Sequence, residues 1–439
     1  MELAALTHTI ENLKRLSAPH QARECHFVVA LSGGLDSTLL LLATHLLCQN
    51  TEARLSAVHV HHGLSPNADS WLTHCQSLCN TLQVPFYTEQ VSINVSSRTS
   101  LEAEAREARY RVLIDYCHQH QGMLLLGHHL QDQLETVLLQ LKRGAGPRGL
   151  AGMGELQRRQ GIAVLRPMLT LERSDIEAAV RERGFNWIDD ESNQDTQYDR
   201  NFLRHQIIPA LTARWPQLPQ TVARSARLCA EQDAMIDEEA RARLKCMTGT
   251  QNSLSLPCLR EQPVLWQRAI VRVWLMQHDI AMPSYAQLEQ VLSMCDARQD
   301  AQPAVTLGAH QIRRFDGALY VVGPQVAPPR TTVSVVPGTG VPLDWLDCEL
   351  TVSVTDPSLA ACAWSLQAGM PAIRVTPEGK GFSKPLKQWV KAWKIPAWER
   401  PGVTVLFCDK TPVAVLTPTA DYRLADFTGQ VQLIRRART

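Results

Sequence analysis

No hydrophobic run in this sequence approaches the ~18 residues that a membrane-crossing helix needs. The longest, at 39–44 and 124–127, fall far short of it. Residues 1–15 lack the continuous apolar core of a secretory leader. Charge of one sign is also lacking. The chain has 44 Lys and Arg against 43 Asp and Glu, a formal +1, which excludes a globally basic nucleic-acid coat but leaves room for a local basic patch. There is no internal repeat and no low-complexity tract. No Cys-x-x-Cys pair occurs among the 12 cysteines, so they read as reduced thiols of a cytoplasmic protein with no membrane partner. Cys75 and Cys79 lie four apart beside His74. On a helix that spacing marks a half-buried face more readily than half of a metal site.

What is present is a globular chain. Its 439 residues allow two to four domains at roughly 100–200 residues each, and 45% hydrophobic residues supply their cores. Up to about residue 215, short β-rich runs (26–31, 54–61, 84–91, 123–127) alternate with helical patterns (38–47, 100–119, 130–142). The fold class expected is α/β, with a mostly parallel sheet over 1–215. Helical patterns at 221–244, 264–277 and 285–295 imply a small helical domain over 216–325. A Pro-rich linker follows, and alternating runs over 331–439 imply a C-terminal β-rich α+β domain with one helix near 385–393.

The chemistry concentrates where ligands of parallel sheets sit, beyond the carboxyl ends of the strands. Ser32-Gly33-Gly34-Leu35-Asp36-Ser37 joins the first strand to the first helix of the sheet, and Gly127-His128-His129 follows the fourth strand. Two glycines let backbone N–H groups approach an anion, the helix start adds partial positive charge, and the Ser32 and Ser37 hydroxyls can donate to phosphate oxygens. The loop lacks both the Gly-Lys-Ser/Thr of a Walker A motif and the three-glycine dinucleotide fingerprint. Asp36 would repel phosphate unless a cation lay between them, which points to Mg2+ bridging carboxylate and phosphate.

The complete loop resembles that of the N-type ATP pyrophosphatases, the PP-loop family, whose members bind ATP there and adenylate a substrate oxygen. Further segments narrow the resemblance: His59-Val60-His61-His62-Gly63, Arg106-Glu107-Ala108-Arg109-Tyr110, the glycine-rich basic run from Lys142 to Met153, Arg166-Pro167-Met168-Leu169, and Asp199-Arg200-Asn201-Phe202-Leu203-Arg204. In this order and spacing residues 25–215 resemble the tRNA(Ile)-lysidine synthetase family, in its long form with two C-terminal domains. The resemblance implies ATP-dependent ligation of L-lysine to C2 of the wobble cytidine of tRNA(Ile) bearing a CAU anticodon. The reaction passes through an adenylated tRNA and releases pyrophosphate and AMP, turning an AUG-reading, methionine-type tRNA into an AUA-reading isoleucine one. ATP and Mg2+ are the expected cofactors, and a homodimer is left open by the sequence. Ser32, Gly33, Gly34, Leu35, Asp36, Ser37, His61, Gly127 and His128 are the residues expected to hold the nucleotide. Asp36, Asp132, Glu135, Arg106 and Arg204 are expected to carry the chemistry, with Asp36 and Asp132 on the metal. Arg109 and Arg200 are further candidates, and Asp132, Glu135 and Asp190 are alternatives for receiving the lysine. One position departs from the family pattern, which has aspartate where this chain has Gln131, so the metal site brings one anion fewer.

For the RNA, residues 374–400 carry seven basic side chains against two acidic ones. Lys384, Lys387, Lys391 and Lys394 recur at three or four and would line one face of a helix as a phosphate track, while Leu386, Trp389, Val390 and Trp393 form its apolar stripe. Two other readings compete. One is a different PP-loop activity, such as tRNA thiolation, which is expected to need paired cysteines. The other is a nucleotide-dependent RNA-binding protein without chemistry.

Overall fold

The computed structural model describes residues 4–20, 25–63, 65–92, 101–296, 303–427 and 429–437. Among them no helix is long and apolar enough to cross a membrane. The chain divides into two units, Met1–Ile236 and Asp237–Thr439.

The first unit begins with α1 (Ala4–Ser17), β1 (His26–Ala30), α2 (Leu35–Gln49), β2 (Arg54–His61), α3 (Ala68–Leu82) and β3 (Phe86–Gln90). It continues through α4 (Leu101–His120), β4 (Met123–Leu125), α5 (Leu130–Lys142), α6 (Pro147–Leu150), β5 (Leu156–Arg159), β6 (Ile162–Leu165) and α7 (Arg173–Glu182). The strands form one sheet in the order β3-β2-β1-β4-β6-β5, parallel except for edge strand β5. Side chains of a strand alternate between faces. Phe27, Val29 and Leu31 therefore enter the core beneath α1, α2, α3 and α7, and Val28 enters the core under α4 with Tyr110, Leu113 and Ile114. Helix α2 is apolar on nearly every side because α1, α7 and the sheet surround it. After α7 come α8 (Asp199–Phe202), a π-helical turn over Leu203–Ile207, α9 (Ile208–Arg214) and α10 (Leu218–Lys245), which runs past the division.

The second unit contains the whole of the expected third domain and the expected second domain from residue 237 onward, while residues 216–236 belong to the first unit. Its first part has the expected helices α12 (Val264–Gln277) and α13 (Tyr285–Ser293), with a short α11 (Leu256–Arg260) before them. Beside them stands a four-stranded antiparallel sheet in a region expected to be mostly helical. Its strands β7 (Leu254–Ser255), β8 (Ala304–Leu307), β9 (His310–Phe315) and β10 (Ala318–Val322) are ordered β7-β10-β9-β8. The turn from β9 to β10 is Asp316-Gly317, both at positive φ (44° and 78°), a pair that suits the twist of a two-residue hairpin. Trp274, Ile312 and Leu319 are fully buried between these helices and strands.

The C-terminal part pairs a three-stranded sheet, β12 (Gly340–Leu343), β13 (Cys348–Val354) and β20 (Val431–Ala437), with a five-stranded one. The latter runs β11 (Val333–Val335), β14 (Trp364–Ala368), β17 (Thr404–Cys408), β18 (Thr411–Leu416) and β19 (Asp421–Arg423). Between them in the chain lie α14 (Pro357–Ala360), the two-residue strands β15 (Arg374–Val375) and β16 (Lys384–Pro385), and α15 (Leu386–Ala392). Leu386, Trp389 and Val390 of α15 are buried, as the apolar stripe predicts. The lysine track is shorter than expected. Lys384 lies in β16 over the Phe382 ring, and Lys394 follows the helix at φ 55° and pairs with Asp316 at 2.8 Å. Only Lys387 and Lys391 remain on the helix.

Candidate active site

Strands β1 and β4 are neighbours, yet the chain proceeds from β1 to β2 on one side and from β4 to β6 on the other. Such a reversal of winding opens a crevice at the carboxyl ends of the two strands. The 32–37 loop and the 127–129 segment meet there. A Cβ on Gly127 would come within 3.1 Å of the backbone carbonyl of Asp36 and 3.2 Å of the Ser37 nitrogen, so a side chain there would press the two segments apart.

Within the loop, Gly33 takes φ 85°, and its carbonyl accepts from Ile188 N–H at 2.9 Å. No side chain caps the start of α2 at Gly34, which leaves a helix N-terminus facing the crevice. The Ser32 and Ser37 hydroxyls lie 3.2 Å apart, and Ser37 donates to the Gly34 carbonyl. Leu35 sends its side chain into the core, so it brings only backbone to the loop. The buried Asp36 Oδ1 has no hydrogen-bond partner. Two nitrogens stand off it: His129 Nε2 at 3.7 Å from Oδ1 and the Arg173 guanidinium, with Nη1 at 3.9 Å from Oδ2. Burial pushes the Asp36 carboxyl above its usual range; His129, Arg173 and Arg204 pull the other way and Asp132 adds to the rise. A buried carboxylate oxygen with no donor, beside an open helix start, suits a hard cation carrying a phosphate.

Opposite the loop, α5 opens with a reciprocal cap. His129 accepts from Gln131 N–H, and Asp132 Oδ2 accepts from His129 N–H at 3.0 Å. Asp132 Oδ1 accepts from Arg200 and Arg204 at 3.3 and 3.2 Å. Burial works to raise the Asp132 carboxyl, but His129, Arg200 and His128 outweigh it and hold it below its ordinary value. One turn on, the fully buried Glu135 accepts from Arg200 Nε at 2.6 Å, Arg204 Nε at 2.6 Å and Arg204 Nη2 at 3.0 Å. Arg204 sits in the π turn, which places it four residues from Arg200 on the same side. Burial alone would lower the Arg204 guanidinium, and Glu135, with Asp132 and Asp36, more than reverses that. Asp132, expected beside Asp36 on the metal, thus already has donors on both oxygens, as does Glu135. Gln131 is likewise engaged, its Oε1 accepting from Arg173 N–H at 3.2 Å. Asp36 is the carboxylate left with a free oxygen.

Unsatisfied buried nitrogens recur around the crevice: Nδ1 of His61, His62 and His128, and Nε of Arg109. Burial, reinforced by Arg109, pushes His62 down to about 4. Burial with Arg166, Arg200 and Arg109, against Asp132, pushes His128 down to about 3. Both rings are therefore neutral at neutral pH. His61, at the end of β2, is tied through Nε2 to Asp69 at 3.1 Å. Of the two α4 arginines singled out from the sequence, Arg109 acts on these histidines, whereas Arg106 is exposed and rests 5.4 Å over the Tyr110 ring. Arg106, expected to carry the chemistry, is placed on the exposed side of α4 against Tyr110, and Arg109 is the neighbour whose charge reaches the histidines. Cys75 and Cys79 are buried thiols pushed up to about 12 by desolvation, unlike metal-binding thiolates.

Comparison with known proteins matches residues 5–211 to a PP-loop domain, 254–320 to a TilS substrate binding domain and 365–428 to a TilS substrate C-terminal domain. The tRNA(Ile)-lysidine synthase of Vibrio cholerae is 38% identical over 416 residues, covering 92% of each chain. The chain belongs to the tRNA(Ile)-lysidine synthase family. Proteins of the same description from Vibrio vulnificus (37% identical, covering 88% of this chain and 90% of the relative) and Shewanella oneidensis (42%, covering 70% and 68%) are further relatives. It is accordingly an enzyme of the ligase class that forms a carbon–nitrogen bond, with an ATP-using PP-loop domain.

Of the residues singled out from the sequence, those at 32–37, Gly127, His128, Asp132, Glu135 and Arg204 line or support the crevice. Arg173, Arg166 and Ile188 complete it and were not among the expected site residues. Arg173 is the first residue of α7, and nothing in its spacing announces that it reaches Asp36.

Proposed function

We propose that the β1–β4 crevice adenylates the wobble cytidine of tRNA(Ile) with a CAU anticodon and then joins lysine to its C2. The observation that carries this is the unpartnered buried Oδ1 of Asp36 beside the uncapped start of α2. Family membership supports the ligase over a thiolase or a binding protein without chemistry. Backbone N–H groups at 33–37 and the Ser32 hydroxyl cradle the triphosphate tail. Asp36 would hold Mg2+, which when bound supplies positive charge to the phosphates. The cytidine O2 attacks the α-phosphate and the bond to pyrophosphate breaks. Arg200 and Arg204, fixed by Glu135 and Asp132, face the charge that builds on the departing group; preorganised charges of this kind need no rearrangement during reaction. The unprotonated ε-amine of lysine then forms the C2–N bond, the C2–O bond to AMP breaks, and the amine gives up a proton. His62 and His128, being neutral, offer hydrogen bonds without adding charge to the pocket. Lys387 and Lys391 offer contacts to the RNA backbone.

The test is pyrophosphate release in the presence of ATP, Mg2+, lysine and tRNA(Ile) with a CAU anticodon. Release must depend on the RNA, and labelled lysine must appear in it. Release at the same rate without RNA, or none at all, removes the basis of this reading.

A further inference from the structure

Among the crevice cations that the reaction above does not use, Arg173 is the one that stands against Asp36. Arg173 begins α7, a helix fixed by Ile176, Ala179 and Val180, all buried in the core that also contains α2. Two hydrogen bonds pin the segment leading into it to the start of α5. Leu130 N–H donates to the Leu171 carbonyl at 3.0 Å, and Arg173 N–H donates to Gln131 Oε1 at 3.2 Å. The backbone of Arg173 is thus held, while its side chain is 45% exposed and free to swing. Its guanidinium stands 3.9 Å from Asp36 Oδ2, outside hydrogen-bond range and within that of an ion pair. Unlike Arg200 and Arg204, it has no second carboxylate recorded against it among the described residues.

The geometry points to Arg173 as an exchanging counter-charge: it neutralises Asp36 in the free enzyme and turns to the terminal phosphates of the nucleotide when a divalent cation takes Asp36. This rests on the nucleotide reading of the crevice and adds to it a residue that grips the tail. A planar guanidinium matches phosphate oxygens two at a time, and an exposed one can move between partners without leaving a buried charge behind. The exchange has a signature that a purely structural residue lacks. Removing Arg173 takes a ligand from the nucleotide, so the nucleotide binds less tightly. The same change takes a competitor from Asp36, so the divalent cation binds more tightly. The two effects have opposite signs.

The experiment uses the full chain with α,β-methylene ATP, which cannot release pyrophosphate, and titrates analogue and Mg2+ separately by calorimetry. For Arg173→Ala, analogue affinity at saturating Mg2+ is expected to fall about tenfold, the scale of a charge-assisted contact. The Mg2+ concentration giving half-maximal analogue binding, measured at an analogue concentration scaled to each variant's affinity, is expected to fall about twofold or more. Arg173→Lys, which keeps the charge but loses the fork, should recover the wild-type Mg2+ response and only part of the analogue affinity. Unchanged values in Arg173→Ala, or both affinities weakened together in the alanine and lysine variants, overturn the proposal. A wild-type chain that binds the analogue yet releases no pyrophosphate with tRNA counts against the ligase reading instead.

Discussion

Replacing Glu135 by alanine strips two guanidinium groups of their main partner. Three N–H donors reach its carboxylate at 2.6, 2.6 and 3.0 Å, and the carboxylate itself is fully buried. Breaking a buried pair from one side costs about 3–5 kcal/mol, because the remaining charge is left uncompensated. The side chains of Arg200 and Arg204 are 25% and 30% exposed and can turn partly to water, which puts the expected loss near the lower figure, about 3 kcal/mol. Arg204→Ala leaves Glu135 still paired with Arg200, so it should cost less, about 1.5–2 kcal/mol. If the three groups act as one unit, the double variant costs less than the sum of the single ones by about 1.5 kcal/mol or more. Urea unfolding supplies the energies, and amide exchange in α5 and α9 shows that the loss is local to the first unit. Pyrophosphate release should fall in all three variants, since in each at least one of the two arginines is lost or no longer held by Glu135. Single costs that add to within about 0.5 kcal/mol would refute the coupling, and with it the view that Glu135 is there to hold the arginines.

Asp36→Ala should abolish pyrophosphate release while tRNA retention on filters stays near wild type, and the free protein should melt no lower, because the variant removes a buried oxygen that has no donor. Gly127→Ala presses a methyl against the Asp36–Ser37 backbone at 3.1–3.2 Å; a rise in KM for ATP of about tenfold or more, with the melting temperature lowered by a few degrees only, is expected, and an unaltered KM would place the tail elsewhere. His62 and His128 are depressed to about 4 and about 3, below the ~6.5 of an unfolded histidine. The unfolded chain therefore binds more protons between pH ~4 and ~6.5, and the two rings together make stability fall as the pH is lowered through that window. A His62→Gln/His128→Gln variant should show a shallower acid limb, and an identical limb would refute the assignment. Changing Lys387 and Lys391 together to glutamine should flatten the slope of log affinity for tRNA against log salt by about one unit per lost phosphate contact; an unchanged slope would make them ordinary solvated lysines.

What was legible in the sequence was whatever depends on neighbours in the chain. The apolar runs at 26–31, 54–61 and 123–127 specify strands because each is short, β-rich and buried on both faces, and they appear as β1, β2 and β4 within two residues at each end. The glycine loop is a backbone feature, so its place at a strand end followed from local pattern alone. The sheet at 304–322 has a local signal too: Asp316-Gly317 between two alternating runs is a hairpin mark, but it stands next to stronger helical patterns that dominate the region. The lysine track was overextended because the spacing of Lys384 and Lys394 continues past the helix, whereas the backbone turns to a strand at one end and to positive φ at the other. The site side chains differ in kind. A spacing of three tells that Asp132 and Glu135 share a face, but what stands opposite comes from 65 to 72 residues further on. The same holds for Arg173, which meets Asp36 only because α7 packs beside α2. A carboxylate's role turns on whether its oxygens are already taken, and that depends on these distant partners. Two acids of equal promise in the chain, Asp36 and Asp132, are therefore separated by contacts that no local pattern records: one is left open to a cation, and the other is spent on holding arginines.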